Sequence, residues 1–162
     1  MPKMQEKNKK IVISNSSCLI ILKRIGKIEL LSDLYTRIII PPAVEHEVFE
    51  FESKPKWIET VEIKQSLVTK ILEKTLGKGE SEAINLCLEL NAHLLIIDDL
   101  AARRTAYGLG IKFTGVMGIL LEAKRVGLIE EIKGFLDEMR KYDFRVSKTI
   151  YDSVLKIAKE KI

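Results

Sequence analysis

The sequence predicts an α/β fold built around a mainly parallel sheet. Short apolar runs alternate with longer stretches of helical periodicity, which is the pattern of successive βαβ units. The apolar runs are not interrupted by alternating polar residues, as expected for strands that helices cover on both faces. The length of 162 residues suits one domain with a sizeable core. We expect a flexible basic tail over residues 1–10 and a single domain over residues 11–162.

The strands are predicted from four apolar runs. They are residues 11–14 (IVIS), 37–40 (RIII), 93–97 (HLLII) and the shorter 111–113 (IKF). Residues 52–63 predict a loop that leads into an edge strand.

The helices lie between and after these runs. They are predicted over residues 19–35, 41–51, 65–74, 80–90, 100–110, 115–127, 128–141 and 147–160. The first is expected to break into two pieces at Gly26. Pro41 and Pro42 suit a first helical turn, because proline fixes φ at a helical value. Asn91 is expected to cap the C-terminus of its helix, and Ser147 the N-terminus of the last helix.

The composition is typical of a soluble globular protein, with 46% hydrophobic and 31% charged residues. Lys and Arg outnumber Asp and Glu by 27 to 23, so an anionic partner is tolerable. Cys18 and Cys87 lie in apolar runs and favour a reducing cytoplasm. His46 and His93 are too few and too isolated for a zinc site. Without a signal peptide or a long apolar span, we expect no contact with a membrane.

Small polar residues follow the first strand, where Asn15, Ser16 and Ser17 come directly before a helix. Their oxygens can accept hydrogen bonds from the free N–H groups of the first helical turn. They can also line a ligand site, because open α/β sheets bind ligands beyond the carboxyl ends of their strands. The sequence alone leaves both roles open.

Carboxylates are also predicted at this edge of the sheet. Asp98 and Asp99 follow the most apolar strand, Glu80 and Glu82 open the preceding helix, and Glu47 lies in the helix after the second strand. Right-handed crossovers put these positions on one edge if the first and fourth strands are neighbours. Taken singly, each carboxylate also suits a helix dipole, a helix cap or an exposed helical face.

Four or five carboxylates in one cleft would repel one another and need a counter-ion. Oxygen ligands without His or Cys suit the hard cations Mg²⁺ and Mn²⁺, which readily bridge to phosphate. This grouping therefore predicts a divalent metal site.

Five segments of the chain, in this order and spacing, resemble the PIN-domain nucleases, in particular a branch related to the VapC toxins of toxin–antitoxin pairs. They are ISNSSCLIIL, IIIPPAVEHEV, GKGESEAINLCLEL, LLIIDDLAARRTAYGLGI and TGVMGILLEAKRVGLI. The resemblance extends over about residues 11–160. It implies a three-layer α/β/α sandwich with a mainly parallel sheet and an acidic cluster that binds Mg²⁺ or Mn²⁺ to hydrolyse RNA.

The resemblance also assigns residues to the site. The first family acid falls on Asn15, the second on Glu47, the third on Glu80 or Glu82, and the fourth on the Asp98 and Asp99 pair. Ser16 and Ser17 match the small hydroxyl residues that follow the first acid. Most PIN nucleases carry Asp where this chain has Asn15, so one negative charge is missing from the expected metal site.

We therefore expect a metal-dependent endoribonuclease, with Arg103, Arg104 and Lys112 as candidates for phosphate contact. No aromatic stacking platform is evident. An alternative is a binding or regulatory protein with little or no activity. It would form a homodimer or hold a small antitoxin through the apolar helix faces within residues 17–35 and 116–138. A receiver-like signalling domain is disfavoured, because receivers carry acids after the first strand.

Overall fold

A computed structural model describes residues 10–162 of the chain, so the predicted tail lies outside the described residues apart from Lys10. Its strands are β1 (Val12–Ser14), β2 (Ile38–Ile40), β3 (Ile58–Thr60), β4 (Leu94–Ile96) and β5 (Phe113–Thr114). They form one parallel sheet in the order β3-β2-β1-β4-β5. The predicted parallel sheet, the edge strand β3 and the pairing of β1 with β4 are confirmed.

Helices cover both faces of this sheet, which confirms the α/β/α sandwich. Their bounds are α1 (Ser16–Arg24), α2 (Leu30–Tyr35), α3 (Pro42–Phe49), α4 (Leu67–Leu72), α5 (Lys78–Leu90), α6 (Leu100–Gly108), α7 (Val116–Arg125), α8 (Lys133–Arg140) and α9 (Lys148–Ile157). Among residues 10–162, no helix has both the length and the apolar character needed to cross a bilayer.

The helix ends follow the predicted capping residues. Asn91 adopts the left-handed conformation after α5, with φ of 50°. Pro42 occupies the first turn of α3. The side chain of Ser147 accepts a hydrogen bond from the backbone N–H of Ile150 at the start of α9. Local sequence therefore determines these helix boundaries.

The start of α8 differs from the prediction, which placed a helix over residues 128–141. The helix begins at Lys133, because the carboxylate of Glu160 accepts hydrogen bonds from the backbone N–H groups of Ile132 and Lys133. The Nζ of Lys124 lies 2.9 Å from the same carboxylate. A side chain near the end of the sequence thus sets this helix boundary.

The core has two parts, one on each face of the sheet. The side chains of Val12 and Ile96 pack against α1, α2, α3, α7, α8 and α9, whereas those of Ile13 and Leu95 pack against α5 and α6. Because side chains alternate along each strand, α1 and α5 pack on opposite faces of the sheet. Their first turns nevertheless meet at the same edge of the sheet.

The apolar helix faces predicted as a partner surface belong to this core instead. Leu19 and Leu22 in α1, Leu31 in α2, and Ile119 and Leu120 in α7 are fully buried. The sheet itself needs these faces for cover, so they are not free to hold an antitoxin or a second copy of the chain.

The Glu160 contacts lead to a stability prediction. Burial alone would raise the pKa of Glu160, but the hydrogen bonds from Lys124 and from two backbone N–H groups outweigh it and lower the pKa. We expect Glu160→Gln to lower the free energy of unfolding at pH 7 by about 1 kcal/mol or more, because charged hydrogen bonds become neutral ones. Urea titrations of both proteins measure this difference.

The difference should shrink as the pH falls. A carboxyl with a lowered pKa stabilises the fold fully above its unfolded pKa, roughly 4.3, and loses that contribution as the pH falls through the folded value. Glu138→Gln is the matched control, because Glu138 forms an exposed ion pair with Lys141. Equal effects of the two substitutions would contradict the assigned role of Glu160.

Candidate active site

Asn15 lies at the carboxyl end of β1 and caps α1. Its backbone N–H donates to the carbonyl of Ile96 in β4 at 3.0 Å, and its Oδ1 accepts from the backbone N–H of Cys18 at 3.4 Å. This cap fixes the orientation of the amide, so Nδ2 points away from the helix. Nδ2 is buried and has no hydrogen-bond partner among residues 10–162. Buried donors are rarely left unpaired, which marks this group as one that can bind a ligand oxygen.

A second unpaired polar atom lies beside it. The Oγ of Ser16 is buried and has no partner within the described part of the chain. A Cβ on Gly79, in the first turn of α5, would stand 3.4 Å from this oxygen and 2.9 Å from Oε1 of Glu47. Because Gly79 has no side chain, the Glu47 carboxylate and the Ser16 hydroxyl approach the first turn of α5 closely, and a Cβ there would collide with the carboxylate oxygen.

Asp98 occupies the other side of α1. Its Oδ2 lies 2.9 Å from Sγ of Cys18 and accepts from the backbone N–H of Val116 at 3.2 Å. Its Oδ1 accepts from Nη2 of Arg103 at 3.3 Å, and Nε of Arg103 donates to the carbonyl of Ile97. Both oxygens of Asp98 are thus held by protein donors, and the aspartate caps α7.

Cys18 acts as a donor in this arrangement. Burial and the neighbouring charge of Asp98 raise the pKa of the Cys18 thiol well above its ordinary value. The thiol therefore keeps its proton and donates to the carboxylate. Its position in the first turn of α1 was visible in the sequence, but nothing local indicated its contact with a residue 80 positions away.

Two other predicted carboxylates cap helices. Oε2 of Glu82 accepts from the backbone N–H of Ala43 at 2.7 Å, and Oδ1 of Asp99 accepts from that of Ala102 at 2.8 Å. The carboxylate of Glu80 folds back toward Gly77, the residue before its own helix. Helix capping alone therefore explains the positions of Glu82 and Asp99. A single carboxylate at the start of a helix accepts a backbone hydrogen bond and does not require a metal.

The carboxylates share one edge without forming one closed cluster. Among residues 10–162, no three side chains of His, Cys, Asp or Glu are grouped so that they could hold a metal ion. The N–H groups of helix N-termini and the guanidinium of Arg103 provide positive partners instead. The predicted repulsion between carboxylates is therefore already reduced by the fold.

The oxygens beside Gly79 nevertheless have the chemistry that a hard cation prefers. Oε1 of Glu47 and the unpaired Oγ of Ser16 are oxygen donors, and Glu47 forms no ion pair within residues 10–162. Oxygen donors match Mg²⁺ and Mn²⁺ better than softer metals. The donor set on the Glu47 side of α1 therefore fits such an ion.

The side chains predicted to contact the substrate differ in their exposure to solvent. Ser17, Arg104 and Lys112 are exposed, whereas Arg103 is partly buried against Asp98. Arg104 has no carboxylate partner in the described structure, so its charge is available to an anion.

A groove of about 510 Å³ leads away from Glu47 between α1 and α3. Lys23 and Arg24 line it, and Nζ of Lys23 lies 2.7 Å from the carboxylate of Glu52. These two cations were not among the predicted site residues, although helical spacing from Ser16 places them on the same side of α1.

A cavity of similar size, about 500 Å³, lies at the opposite ends of β1 and β4. Lys10, Tyr35, His93 and Lys112 line it, and none of the predicted catalytic or metal-binding residues does. The prediction that Lys112 contacts phosphate at the candidate site is therefore wrong, because Lys112 precedes β5 and lies at the opposite edge of the sheet. We place the candidate site at the carboxyl edge, because the unpaired buried atoms of Asn15 and Ser16 are there.

Comparison with known proteins gives one match. A family model described as a PIN domain matches residues 11–160. PIN domains are generally nucleases that bind nucleic acid and use divalent metals. No curated protein and no solved structure matches the chain.

The position of Gly115 gives a prediction about the site. A Cβ there would contact Oδ1 of Asp98 and Nη2 of Arg103, although the backbone φ of −122° suits any residue. We expect Gly115→Ala to separate this ion pair and to lower the free energy of unfolding by roughly 1–3 kcal/mol, the usual effect of overpacking. Thermal denaturation measures the change.

Gly134→Ala is the matched control, because a Cβ at Gly134 in α8 meets nothing within 4 Å. We expect that substitution to be neutral or stabilising, since alanine favours a helix over glycine. A Gly115→Ala protein as stable as the control would contradict the close approach of Asp98 to Gly115.

Proposed function

Because the chain belongs to the PIN-domain family, we propose that it is a metal-dependent endoribonuclease that uses Mg²⁺ or Mn²⁺. The observation that carries this proposal is that two of the three buried, unpaired side-chain atoms in residues 10–162, Nδ2 of Asn15 and Oγ of Ser16, belong to adjacent residues. They lie at the carboxyl edge of the sheet, next to a glutamate that has no ion-pair partner in residues 10–162. Such an edge is where open α/β folds bind ligands.

The proposed metal ligands are Glu47 and Glu80, with Ser16 as an additional oxygen donor. Asp98, whose oxygens accept from Cys18, Val116 and Arg103, keeps Arg103 at the same edge. Glu82 and Asp99 are less suited, because each already accepts a backbone hydrogen bond from a helix N-terminus. When bound, the divalent ion lowers the pKa of water and neutralises charge on the phosphate.

The other residues bind and orient the RNA. Nδ2 of Asn15 donates to a phosphate oxygen, and the exposed cation Arg104 attracts the strand. Arg103 holds Asp98 in place and presents its remaining N–H groups at the same edge. Asn15 contributes no negative charge, so metal affinity should be lower than with an aspartate there.

We extend the proposal to a role as the toxin of a toxin–antitoxin pair, acting in the cytoplasm as a homodimer that a small antitoxin inhibits. Support for this part comes from the sequence resemblance alone. A second copy of the chain or an antitoxin would have to bind a surface other than the buried apolar faces of α1, α2 and α7.

A non-catalytic binding protein is the second candidate. It is favoured by the hydrogen bonds that occupy both oxygens of Asp98 and by the uncharged side chain of Asn15. In this case the same edge would bind RNA without cleaving it. RNA cleavage assays separate the two candidates.

The first experiment measures cleavage of a generic single-stranded RNA with Mn²⁺. We expect the wild-type protein to cleave it, and the double variant Glu47→Gln, Asp98→Asn to be slower by roughly 100- to 1,000-fold, because charge stabilisation at the phosphate is lost. Glu138→Gln is the control, since this exposed glutamate lies in α8. Undiminished cleavage by the double variant would exclude the assigned site, whereas an inactive wild type would favour the binding protein.

The second experiment measures melting temperatures with and without millimolar Mn²⁺. Binding to the folded state alone stabilises a protein by RT ln(1 + [L]/Kd), about 2.7 kcal/mol when the ligand is at 100 times its Kd. We expect a rise for the wild type, a larger rise for Asn15→Asp because a carboxylate binds the ion more tightly, and no rise for Glu47→Gln. An equal rise in melting temperature for all three proteins would mean that the ion binds outside the proposed site.

A further inference from the structure

An open groove of about 420 Å³ adjoins Asp98. Leu100, Arg103, Arg104 and Tyr107 line it from α6, and Phe113 lines it from β5. We call it the Tyr107 groove. Its four α6 residues follow the spacing of one helical face. No aromatic stacking platform was evident from the sequence, because Tyr107 and Phe113 come together only when α6 packs beside β5.

The lining of the groove is apolar and exposed to solvent. Tyr107 is 81% exposed and Leu100 is 63% exposed. Single exposed apolar residues are common, but adjoining ones that share a concave surface indicate a binding site. The exposed ring of Tyr107 offers a flat π face to a ligand.

The charge of the groove identifies the class of that ligand. Among residues 10–162, its charged lining residues are Arg103 and Arg104, and Arg104 has no carboxylate partner, so its charge is available to an anion. The guanidinium of Arg103 lies 5.5 Å from the ring centroid of Phe113 and also pairs with Asp98. One side chain therefore joins the groove to the candidate active site.

We propose that the Tyr107 groove binds one base of the RNA strand, next to the nucleotide whose phosphate lies between Asn15 and Arg103. The base stacks on Tyr107, and the guanidinium of Arg104 contacts the adjoining phosphate. Aromatic rings combined with the available charge of Arg104 match a nucleotide, which has a π face and a negative charge. This inference rests on the proposed function, since it names a subsite for the same RNA.

The test measures RNA binding without cleavage. A fluorescently labelled single-stranded RNA of twelve nucleotides is titrated with protein in EDTA, and anisotropy gives the Kd. We expect Tyr107→Ala to weaken binding roughly 5- to 150-fold, the range for loss of one stacked base. Tyr107→Phe should bind as the wild type does, because it keeps the ring.

Phe51→Ala is the matched control, because Phe51 is 91% exposed and lies outside the groove. A second series uses RNAs with a single abasic nucleotide at each position in turn. At one position, the abasic RNA should bind the wild type as weakly as it binds Tyr107→Ala, because the base and the ring are lost as a pair.

Each result has one consequence. Equal binding by the wild type and Tyr107→Ala overturns the base subsite and leaves the proposed function intact if the wild type cleaves RNA. A wild type that neither binds nor cleaves RNA overturns both. If Tyr107→Ala converts a dimer into a monomer while RNA affinity stays unchanged, the groove holds a second copy of the chain and the base subsite is wrong.

Discussion

The parallel arrangement of the strands determines the chemistry at one edge of this protein. Helices α1, α3, α6 and α7 begin directly after the strands β1, β2, β4 and β5, so their unpaired N–H groups collect at the carboxyl edge. Acceptors are needed there for structural reasons. Asn15, Glu82, Asp99 and Asp98 each accept one such N–H group. An acidic edge is therefore in part a consequence of the fold, and capping must be separated from catalysis residue by residue.

Once the capping residues are distinguished in this way, the carboxyl edge consists of two halves, one on each side of α1. Glu47 and Ser16 face the start of α5 at Gly79, where the acceptors have no partner among residues 10–162. Asp98 lies on the other half and is held by Arg103 and by the protonated thiol of Cys18. The first half has excess oxygen acceptors and suits a cation. The second is already neutralised and, through Arg103, adjoins a groove that suits a nucleotide.

The sequence predicts the framework because local patterns decide it. Asn91 and Ser147 cap their helices as expected, and the apolar runs give the sheet. The site is less predictable, because its contacts join residues distant in sequence. Glu160 sets the start of α8 across a gap of 28 residues, and Cys18 donates to Asp98 across a gap of 80, and no periodicity reveals either contact. Phe113 completes the groove at Tyr107 only because β5 packs beside α6.

The amide of Asn15 lies where the two halves meet. Asn and Asp cap helices about equally well, so capping does not explain an amide at this position. The difference is the group that points away from the helix, since an aspartate would present a second acceptor where Asn15 presents the donor Nδ2. A donor attracts a phosphate oxygen and repels a cation. If the edge holds both, the amide keeps the cation on the Glu47 side and the phosphate between Asn15 and Arg103, adjacent to the Tyr107 groove.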